Sequence, residues 1–361
     1  MKKILIVNKH KLDTLGGSEI QCDIIARELQ EKGYNVLYFA VNGKRKEYNT
    51  SYKVTPRVLS NEAISEVCEQ FSPDIVYWRY NKNHLLKSVK TIKKYDIPVV
   101  FSVSHISDVK RWHVRERIRI NSIKNIKSAI FTLRQSVINF YNHRAFKYVD
   151  GLVSLNSDYL NIAPVANQIF IPNSSMEIKA IPFSWPRKFC IWVANIKSRK
   201  NPEKFVELAR KLKHIEIDFL MIGEMQSDRY IWICDSKQTP KNFHYLGPKL
   251  LEEVNGILKE SLFLVHTCEP EGFSNNFIQA WLQGKPTISL YFDPCGYISG
   301  KNLGYISGTI EQLVEDVMKL VKDEDLRNKM GQKAEKFAQE NFSPQKNVFL
   351  LESFLNKLYL E

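Results

Sequence analysis

Short apolar runs alternate with amphipathic stretches along the whole chain. Ile4–Val7 is an unbroken aliphatic run, the pattern of a strand buried on both faces. A polar loop from His10 to Leu15 follows, then Gly16-Gly17, then Ser18, an N-cap for a helix carrying Ile20, Ile24, Ala26 and Leu29 and ending at Gly33. Val36–Ala40, Asp74–Trp78 and Pro98–Val103 continue the strands, the last two separated by a Lys-rich helix. Gly151–Leu155 and Gln168–Ile171 close the first half. Pro172-Asn173 supplies a turn, and the stretch from Ile181-Pro182 to Pro186 reads as a linker.

The pattern then restarts. Cys190–Ala194 is a strand, Pro202–Leu212 a helix, and Ile217–Ile222 a strand ending at Gly223. Phe243–Leu246, Leu262–His266 and Thr287–Leu290 are further strands with helices between them. Strands alternating with helices predict parallel sheets covered on both faces. The second half repeats the first in architecture without visible sequence repetition. The expected assembly is two doubly wound α/β domains facing each other across a cleft, with ligands at the carboxyl ends of the strands.

One long helix stands apart. Ile123, Ile126, Ile130, Leu133, Val137 and Phe140 recur every three or four positions as a single apolar stripe. Arg115, Arg117, Arg119, Lys124, Lys127 and Arg134 precede or flank it. The pattern suits either a core helix with a solvated basic face or a helix lying near an anionic membrane surface.

Charge bears on that choice. Residues 1–172 hold 27 Lys+Arg against 15 Asp+Glu, whereas residues 173–361 hold 25 against 24. The excess belongs to the first half, and within 109–147 ten basic residues meet a single acidic one, Glu116. No nucleic-acid recognition motif accompanies the charge, and aromatics are not interleaved with it, so nucleic acid is not expected as a partner.

At 361 residues, 44% apolar and 25% charged, the chain has the balance of a folded two-domain protein and excludes disordered and disulfide-scaffold classes. No apolar stretch approaches a membrane span, and Ile4–Val7 is too short for a signal-peptide core. Six scattered cysteines form no CxxC and no ligand-like spacing, which reads as reduced thiols in a cytoplasmic protein.

Candidate chemistry concentrates in the segment from Glu269 to Pro286. Here a strand end, a short turn with Gly272 and a helix capped by Ser274 follow directly on one another. The helix is expected to bury Phe277, Ile278, Trp281 and Leu282, to present Asn276, Gln279 and Gln283, and to stop at Gly284. A helix opening straight after a strand offers free backbone N–H groups to a phosphate. Glu271 stands just ahead of that anion site, where a carboxylate can accept from sugar hydroxyls.

Glu-Gly-Phe-Ser followed by a helix and Gly-Lys-Pro resembles the donor-binding segment of the family 4 glycosyltransferases, retaining enzymes of the GT-B fold. In that family the segment runs Glu, seven residues, Glu, a small residue and Gly-Lys-Pro. Glu271 matches the first glutamate, which contacts the transferred sugar, and Gln279 stands at the second, which contacts the ribose. The resemblance makes Gly272, Phe273, Ser274 and Asn275 donor-binding as well. Gly16 and Gly17 look like the amino-terminal glycine loop that approaches the donor phosphates. Val193 to Pro202 lines up with the family's Gly-Arg segment, so that Lys200 matches the lysine neutralising the diphosphate. Asn195 replaces the family's arginine, a lost charge that nearby Arg199 or Lys197 can compensate. His105 resembles the histidine near the sugar's 6-hydroxyl and the acceptor.

The resemblance implies two Rossmann-like domains: 1–172, with the helix 345–361 packing back on it, on the acceptor side, and 173–344 binding the donor. The implied activity is retaining transfer, by front-face attack, from a nucleotide sugar to a glycan or lipid-linked acceptor in surface polysaccharide or glycoconjugate synthesis. No Asp-x-Asp motif is present near a strand end, which implies a metal-independent reaction with no cofactor. Arg111, Arg115, Arg117, Arg119, Lys124 and Lys127 fall on the acceptor or membrane side, so the expected place is cytoplasmic or peripheral at the inner face of the membrane. The rivals are a non-catalytic nucleotide-sugar or glycan-binding relative and a nucleotide-sugar 2-epimerase. A dehydrogenase is disfavoured, since no GxGxxG follows Ile4–Val7.

Overall fold

The computed structural model describes residues 2–14, 16–112, 126–175 and 179–360. The chain divides into two compact units, Met1–Ser174 with Pro344–Glu361, and Ser175–Ser343.

The first unit is built on a sheet of parallel strands. β1 (Lys3–Asn8), α1 (Gly17–Glu31) and β2 (Asn35–Val41) open it, followed by β3 (Lys53–Arg57), α2 (Asn61–Phe71) and β4 (Ile75–Trp78). α3 (Leu85–Ile92), β5 (Val99–Val103), α4 (Ile106–Val109), α5 (Ile126–Asn142), β6 (Gly151–Ser154) and β7 (Asn167–Phe170) complete it. The strand order is β3-β2-β1-β4-β5-β6-β7, reversing direction between β1 and β4. β1, β4 and β5 are buried on both faces, which is why they read as unbroken apolar runs. β3 gives no such signal because Lys-Val-Thr-Pro-Arg is only partly buried. It is an edge strand, where the missing amide of Pro56 is tolerated.

α1 starts two residues earlier than patterning suggests. Gly16 is its N-cap, in extended backbone at φ −150, and Ser18 instead accepts from Asn8 Nδ2 at 3.0 Å.

α5 corrects the reading of a core helix. Ile130, Leu133 and Val137 of the predicted stripe are 61%, 66% and 52% exposed. The face turned inward carries Ser136, Asn139 and Asn142 instead, all buried. Their polar groups serve the backbone: Asn142 Oδ1 accepts from Leu86 N at 3.3 Å and Asn139 Nδ2 donates to Lys110 O at 3.2 Å. The helix is amphipathic, but its apolar side faces out. Ile123 lies outside the described residues, as do Arg115, Arg117, Arg119 and Lys124, and the side chains of Ile126 and Lys127 are likewise not described.

The second unit repeats the layering with β8 (Phe189–Val193), α6 (Pro202–Lys211), β9 (Asp218–Ile222), β10 (Phe243–Tyr245), α7 (Leu251–Glu260) and β11 (Leu264–His266). α8 (Asn275–Leu282), β12 (Thr287–Ser289), α9 (Tyr297–Gly300), β13 (Gly304–Ile306), α10 (Ile310–Lys322) and α11 (Glu324–Asn341) follow. Its parallel sheet runs β10-β9-β8-β11-β12-β13 and reverses between β8 and β11. Its core gathers Trp192, Phe205, Phe219, Phe263 and Leu313, each essentially inaccessible to water. A side chain of that kind contributes about 1.5–3 kcal/mol by burial.

The last helix, α12 (Pro344–Leu360), rejoins the first unit and packs against α1 and the sheet through Val348, Leu351, Phe354, Leu355 and Leu358. A Cβ at Gly151 would lie 2.4 Å from Leu358 Cδ1, so glycine at the start of β6 lets α12 settle on the sheet. Glu352 fixes the helix from outside, accepting from Lys32 Nζ and Tyr34 Oη, each at 2.8 Å.

Candidate active site

Open parallel sheets bind ligands beyond the carboxyl ends of the strands that flank a reversal. In the second unit these are β8 and β11, and the loops that follow them are fastened to each other. Glu269 N donates to Arg199 O at 3.0 Å, and Asn201 Nδ2 donates to Thr267 O at 3.0 Å. Thr267 Oγ1 donates to Lys200 O at 2.8 Å while accepting from Trp192 Nε1. The loop after β8 also presses on Gly223, whose φ is +153 and whose Cβ, if present, would lie 1.7 Å from Ala194 O. Only glycine fits there.

This stitching brings together two residues far apart in sequence. Lys200 Nζ donates to Glu271 Oε2 at 2.5 Å. The other carboxylate oxygen, Oε1, lies 3.3 Å from His266 Nε2 at the end of β11. The side chains of Lys200, Glu271 and His266 are 18%, 22% and 3% exposed. One carboxylate therefore sits between two bases with little water to screen them.

The titration of the three follows from that geometry. Burial alone would raise the Glu271 pKa, but Lys200 and His266 outweigh it and hold the carboxyl well below its usual range. Burial works against charge on His266 as well. The Cys268 sulfur and the Glu271 carboxylate reverse this and push the imidazole up to about 9. Lys200 is raised too, its desolvation more than offset by Glu271. At neutral pH the network holds an anion and two cations. His266, Cys268 and Glu271 bring three ligand-type atoms within 4.8 Å of one another, but a metal cation would have to displace bases that already neutralise the carboxylate.

α8 opens beside this network. Ser274 is its N-cap as expected, though its side chain makes no capping bond, and Asn276 Nδ2 donates to Val193 O at 2.5 Å, tying the helix start to the end of β8. The helix thus opens at the reversal point. Gly272 is buried, and Phe273 turns its ring into a cluster with Trp281, Tyr297 and Phe342, so only its backbone remains for a ligand. Asn275 begins the helix and is half-buried. Gln279 departs from the exposed face expected for it: it is buried, and its Nε2 lies 3.4 Å from Asn255 Oδ1 of α7. Asn195, half-buried, follows β8 directly, and Arg199 Nε lies 3.9 Å from Glu269 Oε2.

The remaining candidates lie in the first unit. Gly16 and Gly17 form the start of α1. His105 is the N-cap of α4, where Nδ1 accepts from Ser107 N at 3.1 Å and Asp108 reciprocates to His105 N at 2.9 Å. Arg111 stacks over the Phe140 ring at 4.6 Å. Patterning missed Arg79, which follows β4 at the first unit's own reversal. It is buried, donates to Asn173 Oδ1 at 3.0 Å and lines a small cavity with Gln21, Tyr77, Ser102, Ser174 and Asn347. It also missed His266, although a histidine closing an apolar strand just before the Glu-Pro-Glu-Gly turn was a usable signal.

The first unit holds a second Lys–His pair, with Lys82 buried and His143 half-buried. Lys82 Nζ is 3.4 Å from His143 Nδ1 and donates to Lys110 O at 3.0 Å. No carboxylate lies between them. Burial pushes Lys82 down to about 8, against the pull of Asp108. Burial, then Lys82 and Arg111, push His143 down to about 4.

Residues 176–337 match the family profile described as glycosyl transferases group 1. Over 93% of this chain and 92% of the relative, the chain is 20% identical to the N-acetyl-alpha-D-glucosaminyl L-malate synthase of Bacillus anthracis. Its fold is similar to that of sucrose-phosphate synthase from Thermosynechococcus elongatus, with a TM-score of 0.76, 12% identity and all of both chains covered. It is also similar to the HepE protein of Anabaena in complex with UDP-glucose, with a TM-score of 0.73 and 13% identity over 99% of this chain and 100% of that one.

Proposed function

We propose that this chain, a group 1 glycosyltransferase of GT-B type, moves a sugar from a nucleotide-sugar donor to a glycan or lipid-linked acceptor, with retention of configuration and without a metal. The observation that carries the reading is the Lys200–Glu271–His266 network at the reversal point of the second sheet, beside the N-terminus of α8.

Departure of a nucleoside diphosphate builds negative charge on the leaving phosphate, and fixed positive charge and N–H dipoles stabilise it. Lys200 supplies the charge and the first turn of α8 the dipoles. Arg199 and the backbone of Gly272, Phe273, Ser274 and Asn275 complete the phosphate cradle. Glu271 keeps lone pairs for sugar hydroxyls while it balances Lys200. Asn195 lines the same crevice, and Gln279 bears on the ribose through its packing on Asn255. Gly16, Gly17 and His105 belong to the acceptor-bearing unit.

That unit rests on an anionic membrane surface. The exposed stripe Ile130, Leu133 and Val137 inserts at the interface, and Arg111, Arg115, Arg117, Arg119, Lys124 and Lys127 meet the lipid headgroups. No described helix is long and apolar enough to cross a membrane.

The test is a panel of radiolabelled nucleotide sugars with and without EDTA, followed by NMR of the anomeric proton in the product. Label transfer that resists EDTA and keeps the donor's anomeric configuration is the expected result. Binding of every donor without transfer or hydrolysis would instead make the chain a carrier.

A further inference from the structure

We propose that His266 is a positioning residue that holds the Glu271 carboxylate in its working orientation. The inference rests on Glu271 being the sugar-contacting group. A glutamate has a soft terminal torsion, so one contact leaves its carboxylate plane free to swing. Here Lys200 grips one oxygen at 2.5 Å and His266 the other at 3.3 Å, and two donors on different oxygens define the plane.

The histidine is itself immobilised from every side. Its Nδ1 lies 3.4 Å from Ser289 Oγ on β12, its ring packs against Phe277 of α8 with centroids 4.5 Å apart, and Phe292 closes the far side at 6.2 Å. The charged and titratable groups facing it are Glu271 and Cys268, with Lys200 across the carboxylate. A histidine that merely joined β11 to β12 would need only the Ser289 contact. Its second nitrogen, aimed at Glu271 from a site only 3% exposed, is what a positioning role uses. A protonated ring also explains how Glu271 stays ionised when Lys200 turns toward a diphosphate.

Two variants test the idea against Glu271→Gln. His266→Phe keeps the aromatic packing and removes both nitrogens, and His266→Gln keeps a neutral donor. We expect kcat to fall at least about 50-fold in His266→Phe and about 5- to 20-fold in His266→Gln, with donor KM changing less than threefold in both. The wild-type kcat should decline above about pH 9, where the imidazole loses its proton, and His266→Gln should lack that decline. A folded His266→Phe with kcat within twofold of wild type, beside an inactive Glu271→Gln, overturns the positioning role alone. If Glu271→Gln also keeps its activity, the reading of the whole site fails instead. Should His266→Phe not fold, partial activity of His266→Gln with no alkaline decline supports the proposal, and an unchanged pH profile refutes it.

Discussion

Each unit sets a lysine and a histidine together, and the two pairs have their pKa values shifted in opposite directions. Lys200 and His266 hold their protons because Glu271 stands between them. Lys82 and His143 face each other directly, and burial pushes both pKa values down. The residue types are the same, so the difference lies in their neighbours, the Glu271 carboxylate and, beside His266, the Cys268 sulfur. A buried base follows its nearest counter-charge more than its own chemistry. The charge distribution agrees, since the first unit has few acids to spare and the second is almost balanced.

The most direct way to break the contrast is to remove the carboxylate. Glu271→Gln should cut transfer by at least about 100-fold, the usual scale for losing a charge-stabilising contact. It should also move the second pair toward the first, and NMR titration should then find the His266 pKa lower than in the wild type. Glu271→Ala should in addition lower Tm, because the carboxylate is mostly buried and its loss leaves two cations unmatched.

Proton linkage separates the units next. The raised pKa of His266 gives stability that is complete below pH 6.5 and lost as pH rises to about 9. The lowered pKa of His143 gives the reverse: stability declines as pH falls from 6.5 toward about 4. Hydrogen exchange, corrected for intrinsic rates, should show sheet amides of the first unit weakening first at pH 5 and those of the second weakening first at pH 9. Equal weakening at both ends would contradict the assignment.

A smaller effect is expected from giving the first pair what it lacks. His143→Glu should raise the Lys82 pKa, raise Tm at neutral pH by a few degrees, about 1 kcal/mol, and leave transfer untouched. No rise in the Lys82 pKa by NMR would count against the comparison.

The least costly change to the fold is on α5. Ile130→Ser, Leu133→Ser and Val137→Ser together should alter stability by less than about 0.5 kcal/mol each, because these residues already face water. Sedimentation with anionic vesicles at low salt should nonetheless fall severalfold. Retained sedimentation would assign the binding to the basic residues alone.

The central strands of both sheets were legible because buried parallel strands must be continuously apolar, as in Ile4–Val7 and Cys190–Ala194, whereas the edge strands β3 and β13 were not. Glu271 and Lys200 were legible through local motifs, but their contact was not: it depends on Thr267 and Asn201 stitching two loops about seventy residues apart. The direction of α5 was hidden for a different reason. A stripe at helical spacing says that a helix has an apolar side and is silent on which side meets the protein, and the buried Ser136, Asn139 and Asn142 decided it. Gln279 was misjudged because helical period placed it with Asn276 and Gln283, whereas α7 covers that part of the face.

Because α12 belongs to the first unit, that unit is written in two separated pieces of sequence. A ribosome releases β1 through β7 long before it releases Val348 to Leu358. During that interval Cys22, Ile25, Leu29 and the sheet beneath Gly151 lack their cover. The second unit, continuous from Ser175 to Ser343, can finish first, so the nascent chain completes its middle before its beginning. The first unit therefore waits, with an apolar surface open to chaperones or to aggregation, for the last helix to arrive. Cutting the chain after Ser343 should accordingly harm the amino-terminal sheet, not the neighbouring stretch of sequence it was cut from.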